Sequence, residues 1–93
     1  MLNFEWDDAK AALNFRKHGV TFEQAAYAFL DPFGVEWLDE RASYCEERVI
    51  LLGISSGQIL SVVYTERHDR IRIISARRAT RYEKDKYYRQ NAT

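Results

Sequence analysis

At 93 residues, with 46% hydrophobic and 14% aromatic side chains, the chain has the size of one domain with a single core and is too apolar for a disordered tail. No run approaches the roughly 18 apolar residues of a membrane span, and the opening MLNFEWDD lacks the order of a signal peptide. Cys45 is the only cysteine, which excludes an internal disulfide and leads us to expect a reducing cytoplasm.

The formal charge of zero conceals an asymmetry. Residues 1–47 hold ten acidic and four basic side chains, and residues 48–93 hold ten basic and four acidic ones. A net −6 followed by a net +6 points to a polyanion-binding face, or to two halves that neutralise each other across the fold.

In chain order, Leu2 to Trp6 alternates weakly and predicts a short strand. Asp7 or Asp8 is placed to cap a helix over AKAALNFRKH, in which Ala9, Ala12, Leu13 and Arg16 share one side and Lys10, Asn14, Lys17 and His18 form a polar stripe. Gly19 stops it. Thr21 with Gln24 forms a capping box for a second helix, whose Phe22, Ala25, Ala26, Phe29 and Leu30 recur at core-facing spacing until Asp31-Pro32. The period then changes to two. Phe33 to Trp37 reads as an edge strand, Asp39 to Glu47 as an acidic loop prone to disorder, and Val49 to Ile54 as a central strand. Ser55-Ser56-Gly57-Gln58 and His68-Asp69 are turns around Ile59–Thr65 and Ile71–Ala76. Thr80 with Glu83 is a second capping box, opening a helix to about Gln90. The expected fold is α+β, in the order β-α-α-β-β-β-β-α, with an antiparallel sheet packed against helices in a single domain spanning residues 1–93.

The chemistry is narrowed by what the sequence lacks. His18, His68 and Cys45 have no metal-ligand spacing, and there is no glycine-rich phosphate loop and no serine elbow. No metal or cofactor is therefore expected. The segment from Tyr64 to Tyr87 instead concentrates Arg67, Arg70, Arg72, Arg77, Arg78 and Arg81. Guanidinium groups cannot lose their charge and match phosphate oxygens with a rigid fork of donors. RNA cleavage by its own 2′-hydroxyl needs a base, a cation on the phosphorane and an acid. Arginine suits the second role, and Glu66, His18, His68 or a tyrosine suits the others. Duller roles stand beside these. His18 suits a helix C-terminal dipole, Glu66 an ion pair with Arg67 or Arg72, and Arg81, Lys84 and Lys86 a solvated face. At least one of Tyr82, Tyr87 and Tyr88 suits the core.

The stretches FEWDDAKAALNFRKHGVTFEQAA and YTERHDRIRIISARRATRYEKDKYY together resemble the BrnT toxins of bacterial type II toxin–antitoxin systems, over nearly the whole chain except Phe33 to Cys45. The resemblance implies a RelE-like fold and a ribonuclease that arrests translation. It also implies a BrnA-type antitoxin with a ribbon-helix-helix DNA-binding domain, through which the complex would reach its operator. The family's motif positions fall on Trp6, Lys10, Asn14, Lys17, His18, Glu66, Arg67, Arg72, Arg77 and Tyr87. From these and from the arginine-rich segment, we expect His18, Glu66, Arg67 and Arg77 to be catalytic, and Lys17, Arg72, Arg78, Arg81 and Tyr87 to bind the substrate. The alternatives are a non-catalytic module that binds nucleic acid or protein through the same basic surface, or arginines that serve chiefly as the antitoxin's docking surface.

Overall fold

A computed structural model describes residues 2–41 and 46–92. Its elements are β1 (Asn3–Glu5), α1 (Asp8–His18), α2 (Phe22–Ala28), β2 (Val35–Leu38), β3 (Val49–Ser55), β4 (Gln58–Arg67), β5 (Arg70–Arg78) and α3 (Arg81–Asn91), an α+β fold in the expected order. The local signals are realised. The Asp7 side chain accepts from the Lys10 N–H, and Gly19 closes α1 at φ 71°, a conformation that costs glycine nothing. Both capping boxes form completely, Thr21–Gln24 on α2 and Thr80–Glu83 on α3. Ser56 and Gly57 both have positive φ, as the tight β3–β4 hairpin requires.

The five strands run in the order β1-β5-β4-β3-β2. The four-strand meander from β2 to β5 is antiparallel, but β1 joins β5 in parallel through Phe4 and Ile71. The sheet is therefore mixed and not purely antiparallel.

Helices α1 and α2 cover one face. There Val20, Phe22, Ala25, Ala28, Leu51, Leu60, Val62, Tyr64, Ile73 and Ala76 form the main core, with Phe4, Trp6 and Phe29 packed against it. Each large side chain fully buried here contributes roughly 1.5–3 kcal/mol. Gly53 lets α2 approach β3 closely, since a Cβ at that position would stand 2.4 Å from the Ala28 carbonyl oxygen. Helix α3 crosses only one end of the opposite face, where Leu52, Ile59, Ala79 and Tyr87 form a second cluster with Val35 and Trp37. Among the described residues, no other helix covers the remainder of that face.

Two further expectations are corrected. Asn14 is buried, whereas Ala12 and Leu13 of α1 are exposed. Helix α1 docks by hydrogen bonds to the backbone in place of an apolar stripe. Helix α2 ends at Ala28 and its last turn tightens to i→i+3 bonds, swinging Leu30 out of the core stripe to 69% exposure. The acidic segment from Asp39 to Glu47 is anchored at both ends. The Asp39 N–H donates to the Arg48 carbonyl, and the Glu47 carbonyl accepts from Thr65 Oγ1. The disorder expected at its centre, like Cys45, lies outside the described residues. No helix among the described residues is long and apolar enough to cross a membrane.

Candidate functional site

The site begins with an irregularity in β5. Val63 is opposite Ser75 and Tyr64 is opposite Ile73, which leaves Ile74 as an extra residue in a bulge. In an unbroken strand, Arg72 and Arg77 stand an odd number of positions apart and fall on opposite faces. The bulge resets the alternation. Ile73 and Ala76 both reach the main core, and Arg72 and Arg77 both come to the open face.

On that face, Arg77 lines a cleft of about 740 Å³ with Trp37, Ile50, Ser61, Val63, Ser75 and Glu83, and with Asp39 and Arg41 at its rim. Ser61 is opposite Arg77 across the β4–β5 ladder. The Arg77 guanidinium makes a paired ion bridge to Glu83, from Nη1 to Oε1 at 2.7 Å and from Nη2 to Oε2 at 3.0 Å. Glu83 Oε1 also accepts from the Thr80 N–H, so one carboxylate both caps α3 and holds Arg77. Burial works against the Glu83 charge, but Arg77 and the Thr80 N–H together hold its carboxyl below the usual carboxylate range. At the rim, the Arg41 guanidinium holds Asp39 below that range in the same way. Lys86 stands 3.8 Å from the Trp37 ring centroid, fixing α3 over the end of β2.

A second depression of about 480 Å³ lies where β5 continues past the end of β1. Its walls are Lys10, Leu13, Arg16, Lys17 and His18 from α1, and its base is Asn14, Ile74 and Ser75. Asn14 makes it possible. Its Oδ1 accepts from the Ala76 N–H at 3.1 Å, while its Nδ2 donates to the Ala76 carbonyl at 2.8 Å and the Val20 carbonyl at 3.0 Å. The side chain thus imitates a neighbouring strand and satisfies the β5 edge. Ser75 lines both the groove and the cleft.

The residues singled out from sequence separate into groups. Lys17 and His18 border the groove, Arg77 the cleft, and Ser75 lines both. Arg72 shares the open face and bonds Glu5 at 3.0 Å. Arg67 lies at the tip of the β4–β5 hairpin, with Nη2 3.2 Å from Glu46 Oε2. Glu66 is opposite Ile71, on the side of the sheet covered by α1 and α2. The tip is roughly 20 Å along the strand from Arg77, so neither Glu66 nor Arg67 converges with it. Arg78 and Arg81 are exposed around the start of α3. Tyr87 is the core anchor. It is 3% exposed, and its hydroxyl donates to Asp31 Oδ2 at 2.6 Å, which leaves no ring face for a base. Ser61, Ser75 and Glu83 went unnoticed as site residues. The first two were visible as lone polar positions within apolar strands, and Glu83 as half of a capping box.

Among the described residues, no group of three or more His, Cys, Asp or Glu side chains is placed to hold a metal ion. Among curated proteins, the chain finds no significant match. Residues 6–83 match the family model for BrnT, the ribonuclease toxin of type II toxin–antitoxin systems, and the chain belongs to that family.

Proposed function

We propose that this ribonuclease toxin cleaves RNA in the Arg77 cleft without a metal ion, by in-line attack of a 2′-hydroxyl on the neighbouring phosphate. As the 2′-oxygen bonds to phosphorus, the bond to the 5′-oxygen breaks. The products are a 2′,3′-cyclic phosphate and a 5′-hydroxyl. Arg77 stabilises the charge growing on the phosphorane oxygens, and His18 transfers the proton. Lys17 and Arg72 hold neighbouring phosphates, with Arg67, Arg78 and Arg81 further out. Attack by the 2′-hydroxyl needs a strand free to bend, which favours single-stranded RNA. Zero net charge favours free RNA over a ribosome-bound message. Cleavage in the cytoplasm would inhibit translation, and a BrnA-type antitoxin with a ribbon-helix-helix domain would neutralise the toxin and carry the complex to operator DNA.

The observation that supports this reading is that Ser75 lines both the cleft that holds Arg77 and the groove bordered by Lys17 and His18. The test is the chemistry of the ends. A labelled RNA incubated with the chain and a chelator should yield 2′,3′-cyclic phosphate and 5′-hydroxyl ends, and a single 2′-deoxy substitution at the cut should block cleavage. Ends carrying 5′-phosphate, or cleavage that persists through the 2′-deoxy position, would contradict it.

A further inference from the structure

Arg77 is held end-on. Nη1 and Nη2 donate to the two Glu83 oxygens, and Nη1 also donates to the Arg78 carbonyl at 3.2 Å. A guanidinium carries five N–H donors in a fixed plane. These three bonds leave Nε–H and the outer hydrogen of Nη2, which lie side by side on one edge. Among the described residues that edge has no partner, and the Arg77 side chain is 40% exposed in the cleft. Glu83 is only 12% exposed and is anchored a second time by the Thr80 N–H at the first turn of α3. The orientation of the guanidinium is therefore tied to the start of a helix.

We propose that Glu83 is a positioning residue, fixing Arg77 so that its Nε–Nη2 edge forms the two-pronged grip on the scissile phosphate. This rests on the cleft being the cleavage site and adds how the cation is aimed. Glu83 is a poor proton acceptor for the reaction, because both its oxygens already accept bonds from Arg77 and one accepts a third from Thr80. It also need not be displaced by substrate, since the two remaining donors match the spacing of two phosphate oxygens.

The test compares the parent with Glu83→Gln, which retains a capping-box side chain at that position, and Glu83→Asp, which keeps the charge but withdraws it by one methylene. With RNA saturated by excess protein, both variants should cleave about 10- to 100-fold more slowly, with unchanged affinity and an unchanged acidic limb of the pH profile. In an Arg77→Ala background, Glu83→Gln should cause no further loss. Cleavage as fast as the parent or faster would overturn the proposal, making the carboxylate a bystander or a competitor of phosphate. A loss additive with Arg77→Ala would overturn it in favour of a general effect on the fold, and a vanished acidic limb in favour of a proton-transfer role. A second readout separates this from failure of the ribonuclease reading. A 2′-O-methyl RNA should shift the ¹⁵N–¹H signal of Arg77 Nε in the parent but not in Glu83→Gln. That result would uphold the grip even if no RNA were cut, and an unmoved parent signal would overturn it.

Discussion

Asn14 shows how much one polar side chain can organise. It is 8% exposed and makes three hydrogen bonds, two of them to Ala76, 62 positions away. Replacing it by alanine strands the Ala76 N–H and carbonyl and the Val20 carbonyl. Partial rescue by water sets the expected cost at about 2–4 kcal/mol, readable as a lower urea midpoint. A change under about 0.5 kcal/mol would contradict its role as a substitute strand. Tyr87 makes a different prediction, in pH. Burial, then its bond to the Asp31 carboxylate, pushes the Tyr87 hydroxyl up to about 12. The folded value lies above the unfolded one, so this stabilisation is complete below about pH 10 and fades as pH rises toward 12. Burial also raises Tyr64, and it shares the alkaline slope. Tyr87→Phe should cost about 1–2 kcal/mol at pH 7 and make the loss of stability above pH 10 shallower when urea midpoints are followed with pH.

At the scale of elements, the sequence was legible where the signal is local. Thr21–Gln24, Thr80–Glu83, Gly19 and Ser56-Gly57 each act within four residues, and each boundary they set falls where expected. What depended on a distant partner was not legible. The parallel seat of β1 is decided by the β5 edge left free by the meander. The bulge at Ile74 is decided by the pairing of β4 with β5. Without the bulge, alternation leaves Arg72 and Arg77 on opposite faces, and the candidate site could not be assembled on paper. Deleting Ile74 tests this directly. The deletion leaves Arg72 and Arg77 four positions apart, so a regular ladder keeps both on the open face and Ile73 and Ala76 in the core. The variant should be destabilised by only about 1 kcal/mol in urea unfolding and should still cleave RNA. A loss of about 3 kcal/mol or more, with cleavage abolished, would remove this reading of the bulge from the account.

For the whole molecule, the two oppositely charged halves are partly neutralised by contact. Arg70 and Arg72 meet Glu5, and Arg67 meets Glu46. That fulfils the duller reading of the charge asymmetry around β1 and the hairpin tip. Arg16 and Lys17 make no ion pair among the described residues and border the groove that runs to Ser75, while Arg77 is paired within its own half. The basic surface that remains is a path along the β5 edge and not a uniformly charged face, which reconciles a neutral chain with RNA as its substrate.

The most direct measurement follows cleavage of a labelled RNA by the parent, Arg77→Ala and Arg77→Lys, with EDTA present and each variant shown to be folded. The parent should cut, Arg77→Ala should lose about 100-fold or more in the cleavage step at saturating protein, and Arg77→Lys should recover little, because a point charge cannot form the two-pronged grip. Parental cleavage by a folded Arg77→Ala would show that the reaction takes place elsewhere on the molecule.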